Sequence, residues 1–111
     1  MRKTDKKIDN QIRKALTVVC EIALVEVEGF QWLTHLVNYD QFPKSLRVVC
    51  VFDTKASLQH ALEAGRDHYL IELIQEELTA LNLGIKPENL VSFDSEEACK
   101  LEHDGKWQHR L

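Results

Sequence analysis

The stretch Leu46-Arg47-Val48-Val49-Cys50-Val51-Phe52 decides the fold, because every position after Arg47 is apolar. Since successive side chains of a strand point to opposite faces, a strand here is apolar on both faces. A run of this kind is typical of a central strand that is covered on both sides. We therefore expect a sheet built around residues 46–52, with the two long helical regions of the chain as its covers.

The region that follows predicts a β-α-β unit. Residues 57–81 carry apolar side chains at helical spacing, and residues 90–93 have the composition of a second strand. Gly65 interrupts the helical pattern, which predicts a kink or two helices joined there. Pro87 marks the stop before the strand. Because a helical crossover joins the two strands, they should run parallel with a right-handed connection.

The region before the central strand begins with a helix. Residues 5–28 repeat apolar side chains with a 3.6-residue period, which predicts one long helix. Thr4 or Asp5 can cap its start. Gly29 stands where a glycine commonly ends a helix.

A further strand is predicted between this helix and the central strand. Residues 30–37 are rich in aromatic and β-branched side chains, and their alternation places Phe30 and Trp32 on one face. A loop containing Pro43 then returns the chain. The simplest arrangement pairs this strand antiparallel with the central one.

The tail is less regular. Asp94-Ser95-Glu96-Glu97 has the form of a capped helix start, with the helix continuing to about His103. Residues 106–111 fit either a last short strand or an ordered segment that is pinned by Trp107. We therefore predict one mixed α/β (α+β) domain over residues 1–111. It has a three-stranded mixed sheet of order 1-2-3, and residues 1–7 form a basic arm that can fray.

Composition narrows the class of protein. The 111 residues are 44% hydrophobic and 29% charged, as in ordinary globular domains. No apolar run approaches the ~18 residues of a membrane span. The first residues lack the apolar segment of a secretory signal. We therefore expect a cytoplasmic protein without a membrane segment, with its three cysteines as free thiols.

Charge is distributed unevenly along the chain. Residues 1–14 carry six basic and two acidic side chains, whereas the remainder carries 8 basic and 16 acidic ones. A basic segment on an acidic body suits contact with phosphate groups or with an acidic partner, and equally a solvated first helix. The candidate nucleic-acid-binding residues are Arg2, Lys3, Lys6, Lys7, Arg13 and Lys14.

Two aspartates follow the two parallel strands. Asp53 and Asp94 should lie at the carboxyl ends of neighbouring strands, the edge where open α/β sheets usually bind ligands. Two carboxylates there can hold a hard cation or act as an acid and a base. The simpler interpretation is that each aspartate caps the helix that follows it, and Thr54 and Ser57 are further candidate caps for the first of these helices.

A weaker candidate for chemistry is a metal site in the tail. Cys99 and His103 are four residues apart and would share one helix face, with Cys50 or His109 as a further ligand. The sequence contains no glycine-rich phosphate loop, nucleophile elbow or close cysteine pair. Nothing therefore requires an enzyme or a cofactor.

The opening 1–13, the block Gly29-Phe30-Gln31-Trp32-Leu33-Thr34-His35 and the ending 93–111 resemble a family of small bacterial proteins labelled Fis-type transcriptional regulators. The resemblance covers nearly the whole chain and implies a DNA-binding role. Fis-type proteins are helical dimers that end in a basic helix-turn-helix. No stretch of this sequence matches a recognition helix, so the resemblance assigns no residue. The basic first helix is the candidate nucleic-acid contact.

Three functions follow from these observations. The first is a small non-catalytic interaction or regulatory module that binds a protein partner, which includes a second copy of itself. The second is a nucleic-acid-binding regulator that uses the basic first helix. The third is a small metal-dependent enzyme with Asp53 and Asp94 at the strand edge.

Overall fold

The computed structural model describes residues 2–85 and 90–111, so the predicted stop at Pro87 lies outside the described residues. The helices are α1 (Lys3–Glu26), α2 (Lys55–Glu63), α3 (Arg66–Thr79), α4 (Glu96–His103) and α5 (Trp107–Arg110). The strands are β1 (Phe30–Leu36), β2 (Arg47–Phe52) and β3 (Val91–Ser95), and a short 3-10 turn spans Tyr39–Gln41. The long first helix and the two helices joined at Gly65 are confirmed.

The sheet has the predicted topology. Its order is β1-β2-β3, with β1 antiparallel and β3 parallel to the central β2. From Val48 to Phe52, β2 is buried on both faces. The fold is α+β, as the pattern of residues 46–52 and the helical crossover predicted.

The helices cover the sheet differently from the prediction. The main core cluster joins Val48, Cys50 and Phe52 of β2 to buried residues of both α1 and α3, which contact each other. The two long helices therefore share one face of the sheet, and the expectation of one helical region on each face was wrong. Strands lie ~5 Å apart and packed helices ~8–10 Å apart, so two helices are needed to cover one face of a three-stranded sheet.

The short C-terminal helices lie on the other face. Val49 and Val51 are buried outside the main cluster, as are Ala98 and Cys99 of α4. Trp32 stands opposite Val51 in the sheet and bonds to Glu96 at the start of α4. Residues 106–111 were predicted to form a short strand or a segment pinned by Trp107. They form the helical turn α5, and Trp107 packs edge-to-face on Trp32.

A β-bulge corrects the predicted faces of β1. Phe30 pairs with Phe52, but Trp32 pairs with Val51, so one strand carries an extra residue there. The bulge turns Phe30 into the helix-covered core and leaves Trp32 on the opposite face. The alternating pattern placed these two side chains together, because a bulge leaves no mark on the apolar periodicity.

Several helix ends also differ from the predictions. α1 begins one residue after Arg2 without a side-chain cap, so neither Thr4 nor Asp5 caps it. Gly29 lies two residues beyond the C-cap Val27 and has a positive φ of 86°. α3 ends at Thr79, before the predicted residue 81. Among the described residues, no helix is long and apolar enough to cross a membrane.

Candidate functional site

The six basic residues predicted to bind nucleic acid divide into two groups. Both arginines are engaged within the fold: Arg2 Nε lies 2.8 Å from Asp5, and Arg13 Nη2 lies 2.9 Å from Asp9. The four lysines take part in no salt bridge among residues 2–85 and 90–111. Together with Asn10 and Gln11, the four lysines line a shallow groove of about 510 Å³. These lysines are Lys3, Lys6, Lys7 and Lys14.

The groove is one half of a longer surface, the outer face of α1. The inner face of the helix is buried in the core, whereas the outer face is turned to solvent along its whole length. We define the outer face by its exposed side chains, which are Lys3, Lys6, Lys7, Lys14, Val18, Glu21, Leu24 and Val25. The second half of the outer face carries the acidic Glu21 and three apolar side chains. Of these, Val25 is 82% exposed and Leu24 is 54% exposed.

The charges on this face oppose the helix dipole. The positive, N-terminal end of a helix favours acidic side chains, and its negative, C-terminal end favours basic ones. On this face the lysines cluster in the first half and Glu21 lies in the second half, and α1 has no basic residue in its last turn. The effect is confined to the terminal turns, so a cost of ~0.3–1 kcal/mol for each exposed side chain applies to Lys3 and Lys6 in the first turn.

A cleft of about 480 Å³ lies between α1 and β1, and Glu21 of the outer face is among the residues that line it. At its base is Asp9, whose Oδ1 accepts hydrogen bonds from Tyr39 Oη at 2.6 Å and His35 Nε2 at 2.8 Å. The Tyr39 hydroxyl has the largest effect on Asp9, and with His35 and Arg13 it outweighs burial and lowers the pKa of the carboxyl. The carboxylate is therefore charged and held by the fold at neutral pH.

The sequence patterns missed the role of Asp9. The only signal is its place in the helical repeat, three residues before the buried Ile12 and seven before Leu16. An acidic residue on the buried stripe of a helix needs partners. Those partners come from residues 26 and 30 positions away, which no local pattern identifies.

Asp53 and Asp94 are each engaged separately. Asp53 Oδ1 accepts the Thr54 N–H at 2.7 Å, and hydrogen bonds from Ser57 and Thr54 lower its pKa against the effect of burial. Asp94 Oδ1 accepts the Ser95 N–H at 2.9 Å. Neither carboxylate lines the cleft at Asp9 or the lysine groove.

The capping prediction for these aspartates was wrong by one residue at both helices. Thr54 caps α2 and Ser95 caps α4, each through its side-chain oxygen. Asp94 still belongs to β3, because the strand runs two residues further than predicted. Glu97, the last residue of the predicted capped start, accepts the backbone N–H of Lys55 at 2.8 Å and so joins α4 to α2.

Arg110 anchors the C-terminal turn to the sheet. Its guanidinium makes a bidentate pair with the carboxylate of Asp94 and also bonds to Glu102 at 2.8 Å. Burial disfavours the charge of Asp94, but the bonds from Arg110 and Ser95 outweigh it and lower the pKa of Asp94. This ion pair gives the aspartate a structural role in the described chain.

The predicted metal ligands of the tail lie in the same neighbourhood. Cys99 is fully buried, and Nδ1 of His103 lies 3.2 Å from the Arg110 guanidinium. A guanidinium at that distance opposes the approach of a cation to the imidazole. Among the described residues, no group of three potential ligands is close enough to hold a metal ion.

Replacement of Arg110 by alanine should release the C-terminal turn and lower the free energy of unfolding by about 2 kcal/mol, because Asp94 would be left partly buried without its partner. Urea unfolding followed by tryptophan fluorescence measures the loss, since Trp107 reports directly on the turn. Gln108→Ala, an exposed position of the same turn, is the control. Equal losses in the two variants would contradict the anchoring role.

The fold and these sites place the chain among small α+β domains with a three-stranded mixed sheet. No protein-family model, curated protein or solved structure matches it. The resemblance to Fis-type regulators gains no support from these comparisons. In the described residues, the C-terminal region is a strand followed by the short helices α4 and α5.

Proposed function

We propose that the protein is a non-catalytic interaction module that binds its partner through the outer face of α1. The observation that carries the proposal is the composition of that exposed face, which has four lysines in its first half and Glu21 beside exposed apolar side chains in its second half. A partner that brings acidic groups to the lysines and a basic group to Glu21 would pair these charges. The exposed Val18, Leu24 and Val25 would gain cover at the same time.

The titratable groups elsewhere support a non-catalytic function. Asp9, Asp53 and Asp94 are all held by hydrogen bonds within the fold, and each has a lowered pKa. A general base at neutral pH needs a pKa near 7, and the bonds to these carboxylates move their pKa the other way. The same bonds stabilise the junctions between the helices and the sheet.

Binding of nucleic acid is the second candidate, favoured by the four lysines of the groove. Their spacing along one helix face suits a phosphate backbone. The second half of the outer face argues for a protein instead, because Glu21 would repel phosphate and Val25 would gain nothing from it.

If nucleic acid is the partner, affinity for duplex DNA should fall steeply with salt and be lost in a Lys3→Glu/Lys6→Glu/Lys7→Glu variant.

Lysine acylation in intact cells tests the proposed function. Cells that naturally make the protein and a dilute purified sample would be treated with the same amine-reactive reagent and compared by mass spectrometry. Lys7 and Lys14 should be protected in cells, whereas the exposed Lys55 and Lys100 serve as internal controls. Equal labelling of all four lysines relative to the purified sample would contradict a partner on this face.

A further inference from the structure

We infer that the partner is a second copy of this chain, bound with its α1 antiparallel across the outer face. This inference rests on the proposed function of that face. Lys7, Lys14 and Glu21 follow one another at intervals of seven residues, and Glu28 continues the interval just beyond the helix end. Seven residues are nearly two turns, so the three helical residues form one line along the face, basic in its first half and acidic in its second.

A two-fold axis between Thr17 and Val18 makes this line complementary to itself. In an antiparallel pair of helices, a step forward along one helix is a step backward along the other. The numbers of two residues that face each other therefore always add up to the same sum, which is that of residues 17 and 18. This register sets Lys14 against the Glu21 of the second copy, and it brings Lys7 to the end of the second copy's α1, next to the turn that carries Glu28. Because a two-fold interface repeats every contact, each of these pairings occurs twice.

The same register uses the apolar part of the face. Val18 lies next to the axis, and Leu24 and Val25 lie opposite residues 11 and 10 of the second copy. Both facing side chains, Gln11 and Asn10, are polar but uncharged, so the apolar residues face no charge. The interface therefore covers Val18 near its centre and Leu24 and Val25 further out, and all three are exposed in the single chain.

The dipoles of the two helices also favour this arrangement. Antiparallel helices place the N-terminal end of one beside the C-terminal end of the other, so the lysines of each copy meet the negative end of its neighbour. A parallel pair would set Lys7 against Lys7 and Glu21 against Glu21. An acidic peptide or a nucleic acid would satisfy only the basic half and leave Leu24 and Val25 exposed.

Sedimentation of charge-reversed full-length variants tests the inference. Wild-type protein should associate reversibly to a dimer as concentration rises. Lys7→Glu/Lys14→Glu and Glu21→Lys/Glu28→Lys should each weaken association at least about tenfold, because like charges then face each other. An equimolar mixture of the two variants should restore the dimer, since every reversed lysine then meets a reversed glutamate.

The controls separate loss of the interface from loss of the fold. The substituted side chains are all exposed, so the variants should keep the helix content of the wild type in circular dichroism. Lys100→Glu/Lys106→Glu, at exposed positions outside α1, should dimerise like wild type. A mixture that stays monomeric, or a wild-type protein that stays monomeric at all concentrations, would overturn the inference. Protection of Lys7 and Lys14 in cells would then still support the proposed function with a different partner.

Discussion

Replacement of Gly29 by alanine should lower the free energy of unfolding by about 3 kcal/mol. Gly29 has a φ of +86°, a conformation that costs ~1–2 kcal/mol for other residues. An added Cβ would also lie 2.7 Å from Ser57 Cβ, in the first turn of α2. Such overpacking typically costs ~1–3 kcal/mol. The close contact between the α1–β1 turn and α2 is therefore possible only with glycine.

Urea unfolding of Gly29→Ala and Gly65→Ala separates the two causes. Gly65 also has a positive φ, of 73°, but an added Cβ there would meet nothing within 4 Å. Its substitution should thus cost only the conformational part, ~1–2 kcal/mol. Equal losses at both glycines would show that α2 does not approach Gly29 as closely as described.

The second large effect is expected at Asp9. Asp9→Ala removes the acceptor of Tyr39, His35 and Arg13 and should lower the free energy of unfolding by about 3 kcal/mol at pH 7. Most of this comes from Tyr39 and His35, because the side chain of Arg13 is 67% exposed and screened by water. Asp40→Ala, which removes an 86% exposed carboxylate, is the matched control and should change stability little.

The effect at Asp9 should depend on pH in a defined direction. The folded state lowers the pKa of Asp9, so its contribution is complete above the unfolded value of ~3.9 and is lost as pH falls through the lower folded value. The difference between wild type and Asp9→Ala should therefore shrink when urea unfolding is repeated in strong acid. A difference that is the same at both pH values would mean that Asp9 is not stabilised as a charged group.

The central architecture could be predicted because it depends on local patterns. Residues 48–52 are apolar and buried at successive positions, which requires a strand covered on both faces. Gly65 interrupts a helical stripe, and the chain does turn there. In both places the decisive residues are neighbours in sequence.

The errors arose where the decisive partner is distant. The bulge at Phe30 is set by pairing with β2, and the placement of α1 beside α3 is set by the width of the sheet. The anchor at Asp94 depends on Arg110, 16 residues further on. At such positions the local pattern is compatible with more than one structure.

The candidate site was predicted only in part. The basic character of α1 is visible in the sequence, and the helical spacing gathers its four lysines in one groove. The engagement of Arg2 by Asp5 and of Arg13 by Asp9 depends on rotamers that the sequence does not specify. The acidic and apolar second half of the same face gained meaning only once α3 and the sheet were known to leave it exposed.

Zero-length carbodiimide cross-linking of a mixture of ¹⁴N- and ¹⁵N-labelled protein tests the central claim most directly. Only a link between two copies can join a ¹⁴N peptide to a ¹⁵N peptide, so mixed-isotope products exclude links formed within one molecule. We predict mixed-isotope peptides that join Lys14 to Glu21 and Lys7 to Glu28. A mixed-isotope product that lacks links between the two α1 helices, or the absence of any mixed product at concentrations where the reagent modifies the lysines, would contradict the outer face of α1 as the interface.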